Sequence, residues 1–143
     1  MPLLTVALAL LILPVLGCAA PADAEPLFTL ELLSTDPAEQ VDSLPPPRVE
    51  VSEGRLQVTA VFGLGAAGYV LTPVGTVTEG MIDLVVTARM PEETMGLTVL
   101  TTYTYRVTSD RLPAGGYRVR LRHAMDGMGA PETVVEETIS IER

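Results

Sequence analysis

The chain contains no lysine, no tryptophan and no asparagine, and it has one cysteine and one histidine among its 143 residues. A single cysteine excludes an intrachain disulfide, and the absence of asparagine excludes N-glycosylation. All nine basic residues are arginine, and the formal net charge is −9. Because so acidic a chain cannot offer the broad basic face that nucleic acids require, we expect no nucleic-acid partner.

Candidate catalytic groups are also scarce. The one histidine, His123, and the five serines show no spacing typical of a nucleophile with a base beside it. Two pairs of adjacent glutamates occur, at 92–93 and 136–137, but neighbours on a strand point to opposite faces and do not converge. The alternating acidic pattern of a Ca²⁺ loop is missing as well. We therefore expect a non-enzymatic protein that needs no cofactor.

Residues 1–17 carry no charged side chain and are mostly apolar. This run is too short and too interrupted by proline for a membrane span of about 20 residues, and it is typical of a secretory signal. The segment Val15-Leu16-Gly17-Cys18 follows, with an apolar residue three positions before the cysteine and a small residue directly before it. This motif resembles the lipobox of bacterial envelope lipoproteins. The alternatives are an ordinary signal cleaved near Ala19 and an uncleaved anchor.

The lipobox resemblance implies cleavage between Gly17 and Cys18 and attachment of a diacylglycerol lipid to the Cys18 thiol. It also implies a location in the bacterial cell envelope, at the outer membrane because Ala19 follows the cysteine, facing the periplasm or the cell surface. The expected partners are the membrane, through the lipid, and an unidentified envelope protein. The predicted organisation is a signal peptide (1–17), a lipidated cysteine with a tether (18–26) and a β-sandwich domain (27–143).

Beyond the tether the sequence consists of short strand-like runs bounded by turn residues, with no helical period. The runs cover residues 27–33, 49–51, 55–62, 69–77, 81–89, 97–108, 117–123 and 133–141. Ser52-Glu53-Gly54 is typical of a hairpin turn, and Pro73 suits an edge strand or a bulge. These patterns predict an antiparallel β-sandwich of seven to eight strands, with a small antiparallel barrel as the alternative.

One turn carries a more specific signal, because Leu112, Pro113 and Gly115 precede Tyr117 at the start of an alternating strand. This Leu-Pro-x-Gly-x-Tyr segment resembles the tyrosine corner of immunoglobulin-like and fibronectin-like sandwiches. The resemblance implies an immunoglobulin-like sandwich. It also implies that the Tyr117 ring enters the core while its hydroxyl bonds to backbone between Asp110 and Pro113.

Along the same strand Arg118, Arg120 and Arg122 fall on one face. A binding strip for a carboxylate or phosphate ligand is one interpretation of this row. We favour cross-strand pairing with the last strand, because Glu136 and Glu142 share its outward parity and such pairs contribute about 0.2–1 kcal/mol each.

One short segment has metal-ligand chemistry, since His123, Met125 and Met128 lie close together. Imidazole and thioether groups suit Cu(I). The segment resembles the His-x-Met element of small, exported, β-rich copper carriers, which implies periplasmic copper handling as an alternative function. Met90 and Met95 can contribute only if the fold brings their loop close. The other interpretation is that His123 ends a strand and the methionines cap the core.

Overall fold

The computed structural model describes residues 27–40, 42–93 and 98–143. The predicted signal sequence, the cleavage position at Gly17 and Cys18, and Met95 lie outside these residues. The described residues form eight strands, β1 (Phe28–Pro37), β2 (Arg48–Ser52), β3 (Arg55–Leu64), β4 (Val70–Thr78), β5 (Met81–Arg89), β6 (Thr101–Arg111), β7 (Gly115–Met125) and β8 (Met128–Ile141). Within the same residues there is no helix.

The strands form two four-stranded sheets, with the orders β1-β6-β3-β2 and β4-β5-β7-β8. Alternate residues of the inner strands are buried between the sheets. In β3 these include Leu56, Val58 and Ala60, and in β5 they include Ile82 and Leu84. The two inward faces meet in one hydrophobic core, and the predicted β-sandwich is therefore confirmed.

The predicted hairpin between β2 and β3 is also confirmed, with Ser52 opposite Arg55. Glu53 and Gly54 form the turn, and their φ angles of 53° and 74° are both in the left-handed region. A two-residue turn of this kind follows the right-handed twist of the strands it joins, which explains why glycine is found at its second position.

One pairing differs from the antiparallel arrangement that the sequence predicts. Strands β5 and β7 are parallel, with Ile82 opposite Val119 and Leu84 opposite Leu121. The reason is the path of the chain: β6 lies in the other sheet, so the chain crosses over after β5 and returns in its original direction as β7. Side-chain alternation has a period of two in both kinds of sheet and does not distinguish them.

The last hairpin is longer than predicted. The predicted start of the last strand at residue 133 is wrong, because β8 begins at Met128 and Met125 lies opposite it. His123 is accordingly inside β7 and does not end it. Asp126 and Gly127 form the connecting turn, and an Asp-Gly pair between two strands is the signal that marks such a hairpin.

Strand β4 is an edge strand, as Pro73 predicts. An edge tolerates proline because the strand needs to donate hydrogen bonds on one side alone. The inward face of β4 lies close to β1. The ring of Phe28 covers the backbone of Gly75, and a Cβ atom added at position 75 would overlap that ring. On this side of the sandwich the two edge strands β1 and β4 therefore pack against each other through side chains.

The two ends of the sandwich differ in the length of their connections. The first end, here called the tether end, carries the start of β1 and the short connections 53–54, 79–80 and 112–114. The second end, here called the loop end, is where β1, β3, β5 and β7 end, so the connections 38–47, 65–69, 90–100 and 126–127 leave their strands there. The three longest connections therefore start at one end of the molecule.

Candidate functional site

The segment between β6 and β7 has the geometry of a tyrosine corner. The Tyr117 side chain is 7% exposed, and its hydroxyl donates a hydrogen bond of 2.8 Å to the carbonyl oxygen of Pro113. Leu112 is buried, its N–H donates to the carbonyl of Gly54 at 2.8 Å, and Gly115 begins β7. The acceptor lies in the backbone range that the sequence predicts. These contacts stabilise the fold by joining the segment before β7 to the core and to the turn at Gly54.

His123 points between the two sheets. Its Nε2 lies 2.6 Å from the phenol oxygen of Tyr105 on β6, and its ring stacks on Phe62 of β3 with 4.0 Å between the centroids. Burial lowers the pKa of His123 to about 4 and raises the pKa of the Tyr105 phenol. The imidazole is therefore neutral at pH 7. Because Nε2 already takes part in a hydrogen bond, Nδ1 is the ring nitrogen left for a metal.

The structure brings Met90, Met125 and Met128 to the loop end. Met125 packs partly buried against the core, whereas Met128 is 66% exposed. The guanidinium of Arg89, the residue before Met90, lies 3.6 Å from the carboxylate of Asp126. The loop that carries Met90 therefore starts beside the turn between the other two methionines. In the described ranges no group of three or more His, Cys, Asp and Glu side chains is placed to hold a metal ion.

The arginine row of β7 lies on the outer face of its sheet and is divided between two neighbours. Arg118 forms an ion pair with Glu136 of β8. Arg120 and Arg122 each donate two hydrogen bonds to Asp83 of β5, at distances from 2.8 to 3.4 Å. The predicted pairing with the last strand is therefore found for Arg118. Arg120 lies opposite Glu136, but its hydrogen bonds go to β5, as do those of Arg122. Alternation shows which face a residue occupies but not which neighbouring strand supplies its partner.

The role of Asp83 as the shared acceptor for Arg120 and Arg122 was not predicted from the sequence. The Asp83 side chain is 19% exposed. The hydrogen bond from Arg120 holds the pKa of Asp83 below its ordinary value of 3.8, with burial acting in the opposite direction and Arg122 adding to the decrease. The available signal was the single charge among residues 81–88, which are otherwise apolar apart from Thr87. A charge in that setting needs a partner on a neighbouring strand.

An open groove of about 860 Å³ lies at the tether end. Its charged lining consists of Glu53, Arg111, Glu142 and Arg143. Two positive and two negative side chains leave the lining without excess charge of either sign. The groove therefore shows no electrostatic preference for an anionic or a cationic ligand.

Every fully buried polar side-chain atom in the described residues has a hydrogen-bond partner. None of these residues belongs to a helix with the length and apolar character needed to cross a bilayer. Comparison with protein-family models, with curated proteins and with solved structures found no match to this chain.

Proposed function

We propose that this chain is a non-enzymatic lipoprotein of the bacterial cell envelope, held at the outer membrane by a lipid on Cys18. Its β-sandwich serves as a protein-interaction or structural module. The anchor is supported by the lipobox-like segment that ends at Cys18. The net charge of −9 disfavours direct binding of the domain itself to anionic lipid.

The proposed role of the domain rests on the unequal distribution of its connections between the tether end and the loop end. Leu27 lies nine residues after Cys18, because 27 − 18 = 9. At roughly 3.3–3.6 Å per residue, such a tether spans at most about 30 Å. Since β1 starts at the tether end, the longer connections start at the end away from the anchor. Loops on a rigid scaffold are where proteins most often carry their binding residues.

The loop end also exposes apolar side chains. Val70 is 53% exposed, Val99 is 44% exposed, and Met128 is 66% exposed. All three belong to connections or strand ends at the loop end. Exposed apolar side chains on binding loops commonly contribute to protein-protein contacts. The proposed partner is therefore an envelope protein that docks on the loop end.

Membrane fractionation tests the anchor. The Cys18→Ser variant loses the only thiol that can carry the lipid, so we expect an unprocessed product or a soluble one, without incorporated lipid label. No second membrane-seeking segment follows residue 17, so a processed variant without the lipid has no other means of stable membrane binding. Continued membrane association of a processed Cys18→Ser product would show that the lipobox interpretation is wrong.

Affinity purification of the intact lipoprotein from native membranes tests the docking end. Val99→Glu places a charge on an exposed valine of the loop end, and Val51→Glu does so near the tether end, where Val51 is 37% exposed. We expect proteins recovered with the wild type to be lost with Val99→Glu and kept with Val51→Glu. Equal recovery with both variants would contradict a binding site at the loop end.

Copper handling is the second candidate function. The observation that favours it is the position of Met90, whose loop starts beside the turn between Met125 and Met128. His123 would contribute Nδ1. A Cu(I) titration tests this candidate: binding should be lost with Met128→Leu and kept with Met81→Leu, since Met81 begins β5 at the tether end. Equal binding by both variants would contradict a site at the loop end.

A further inference from the structure

The two sheets have four edge strands, β1, β2, β4 and β8. Strand β1 differs from the other three because nothing blocks its edge along a mostly apolar segment. Unpaired N–H and C=O groups along an edge invite pairing with another chain, and proteins usually block them. Strand β4 contains Pro73, β8 contains Pro131, and β2 has five residues. Strand β1 contains no proline before Pro37, and its register with β6 is regular from Phe28 to Leu32, where a bulge follows.

The hydrogen bonds of β1 show which backbone groups point away from its sheet. The N–H of Asp110 donates to the carbonyl of Leu27 at 2.9 Å, so Leu27 faces β6. In an antiparallel pair the groups that face the partner belong to alternate residues. Those of residues 29 and 31 therefore face β6 as well. The N–H and C=O groups of Phe28, Leu30 and Leu32 point to the open side.

The same segment exposes large apolar side chains. Leu27 is 63% exposed, Leu32 is 49% exposed, and the bulge residue Leu33 is 40% exposed. These three leucines are among the eight large hydrophobic residues that are exposed in the described part of the chain. An open edge with apolar side chains at both of its ends is suited to accept a strand of matching character.

We propose that β1 pairs with β1 of a second copy of this chain, antiparallel, about a two-fold axis at Leu30. In this register Leu30 faces Leu30 of the other copy, Phe28 faces Leu32, and Leu27 faces Leu33. The three residues with outward backbone groups then donate and accept hydrogen bonds reciprocally. The exposed Leu27 and Leu33 of one copy are covered by Leu33 and Leu27 of the other, which is the self-complementarity that a two-fold interface requires.

Local charge does not oppose this register. Glu31 faces Thr29 of the second copy, so no like charges lie directly opposite each other. Within its own chain Glu31 lies 3.9 Å from the guanidinium of Arg106. The net charge of −9 on each copy opposes association at long range, and added salt screens that repulsion. Pairing should therefore strengthen as the salt concentration rises.

The register can be tested by cysteine cross-linking of the full chain in the cells that express it. Thr29→Cys and Glu31→Cys copies are expressed together with different tags, and the wild type with Cys18 alone provides the baseline. Residues that face each other without a shared backbone hydrogen bond have Cα atoms about 4.5 Å apart, close enough for a disulfide. We expect a covalent dimer that contains both tags, and little dimer when either variant is expressed alone.

Two controls make the result specific. Adding Leu32→Glu to both copies should abolish the cross-link, because it places a carboxylate opposite Phe28 of the other copy, inside an apolar pairing segment. Circular dichroism of the purified variant reports whether it folds. A matched pair on another edge, Thr72→Cys with Thr76→Cys in β4, should give baseline cross-linking. The inference is overturned if the mixed pair gives no dimer, if Leu32→Glu leaves it unchanged, or if the β4 pair cross-links equally. It does not depend on the proposed lipid anchor.

Discussion

Tyr105 and His123 connect the two sheets through the core: the phenol oxygen on β6 and Nε2 on β7 lie 2.6 Å apart. The histidine ring is also stacked on Phe62. A protonated imidazole would have to carry its charge between these rings, away from water. Burial therefore lowers the pKa of His123 to about 4, from an ordinary value of 6.5. The single histidine is a structural residue of the core whose protonation opposes folding.

The first prediction concerns the pH dependence of stability. Below about pH 6.5 the unfolded chain protonates His123 while the folded chain does not, until the pH approaches 4. The free energy of unfolding should therefore fall as the pH falls through this window, by at most about 1.4 kcal/mol per pH unit. Urea unfolding between pH 7 and pH 4.5 measures this slope.

His123→Gln is the control for that slope, because it has no group that titrates in the window. The variant should show a flatter profile between pH 6.5 and pH 4 than the wild type. Asp83 acts elsewhere, since its pKa is lowered from 3.8 and its contribution is lost only as the pH falls below that value. Parallel profiles for the wild type and His123→Gln would contradict the buried, neutral histidine.

What could be predicted from the sequence depended on how far apart the interacting residues are in the chain. The turn at Glu53 and the corner at Tyr117 depend on neighbours within a few positions, and both are visible as local patterns. The Tyr105–His123 bond and the Asp83–Arg120 pair depend on which strands become neighbours. Alternation assigns a residue to a face of a sheet, but strand order is decided by the packing of the whole chain.

The second prediction concerns the tyrosine corner. Tyr117→Phe removes the hydrogen bond to the Pro113 carbonyl and should lower the free energy of unfolding by about 1 kcal/mol. Tyr117→Ala should cost a few kcal/mol more, because it also leaves a cavity where the buried ring was. Thermal unfolding of the three proteins measures both steps. Equal melting temperatures for the wild type and Tyr117→Phe would show that the bond contributes nothing to stability.

The third prediction concerns the contact between β1 and β4. Gly75→Ala places a methyl group where the Phe28 ring lies, and overpacking of this kind costs roughly 1–3 kcal/mol. Gly116→Ala is the matched control, because a Cβ atom there has no neighbour within 4 Å. Chemical denaturation should show a loss of stability for the first variant and little change for the second. A shorter side chain in Phe28→Leu should partly restore Gly75→Ala.

The fourth prediction concerns the outer-face cluster around Asp83. Asp83→Ala removes the carboxylate that accepts hydrogen bonds from Arg120 and Arg122. The two guanidinium groups then lose their shared acceptor, so the free energy of unfolding should fall by more than the loss of one exposed ion pair causes. Glu50→Gln is the control, since Glu50 and Arg48 form an exposed pair of the kind that contributes at most about 1 kcal/mol. Similar losses for both variants would mean that the cluster contributes no more than a surface ion pair.

The last prediction is that the domain folds without a metal. After removal of residues 1–17 the chain has 143 − 17 = 126 residues, and a chain of that size buries about two-thirds of its unfolded surface. A core of this extent needs no metal or disulfide for stability, so melting temperatures with and without a chelator should agree. A ligand that binds the folded state alone raises stability by mass action. A melting temperature raised several degrees by stoichiometric Cu(I), and not raised in His123→Ala, would favour copper handling over the proposed interaction role.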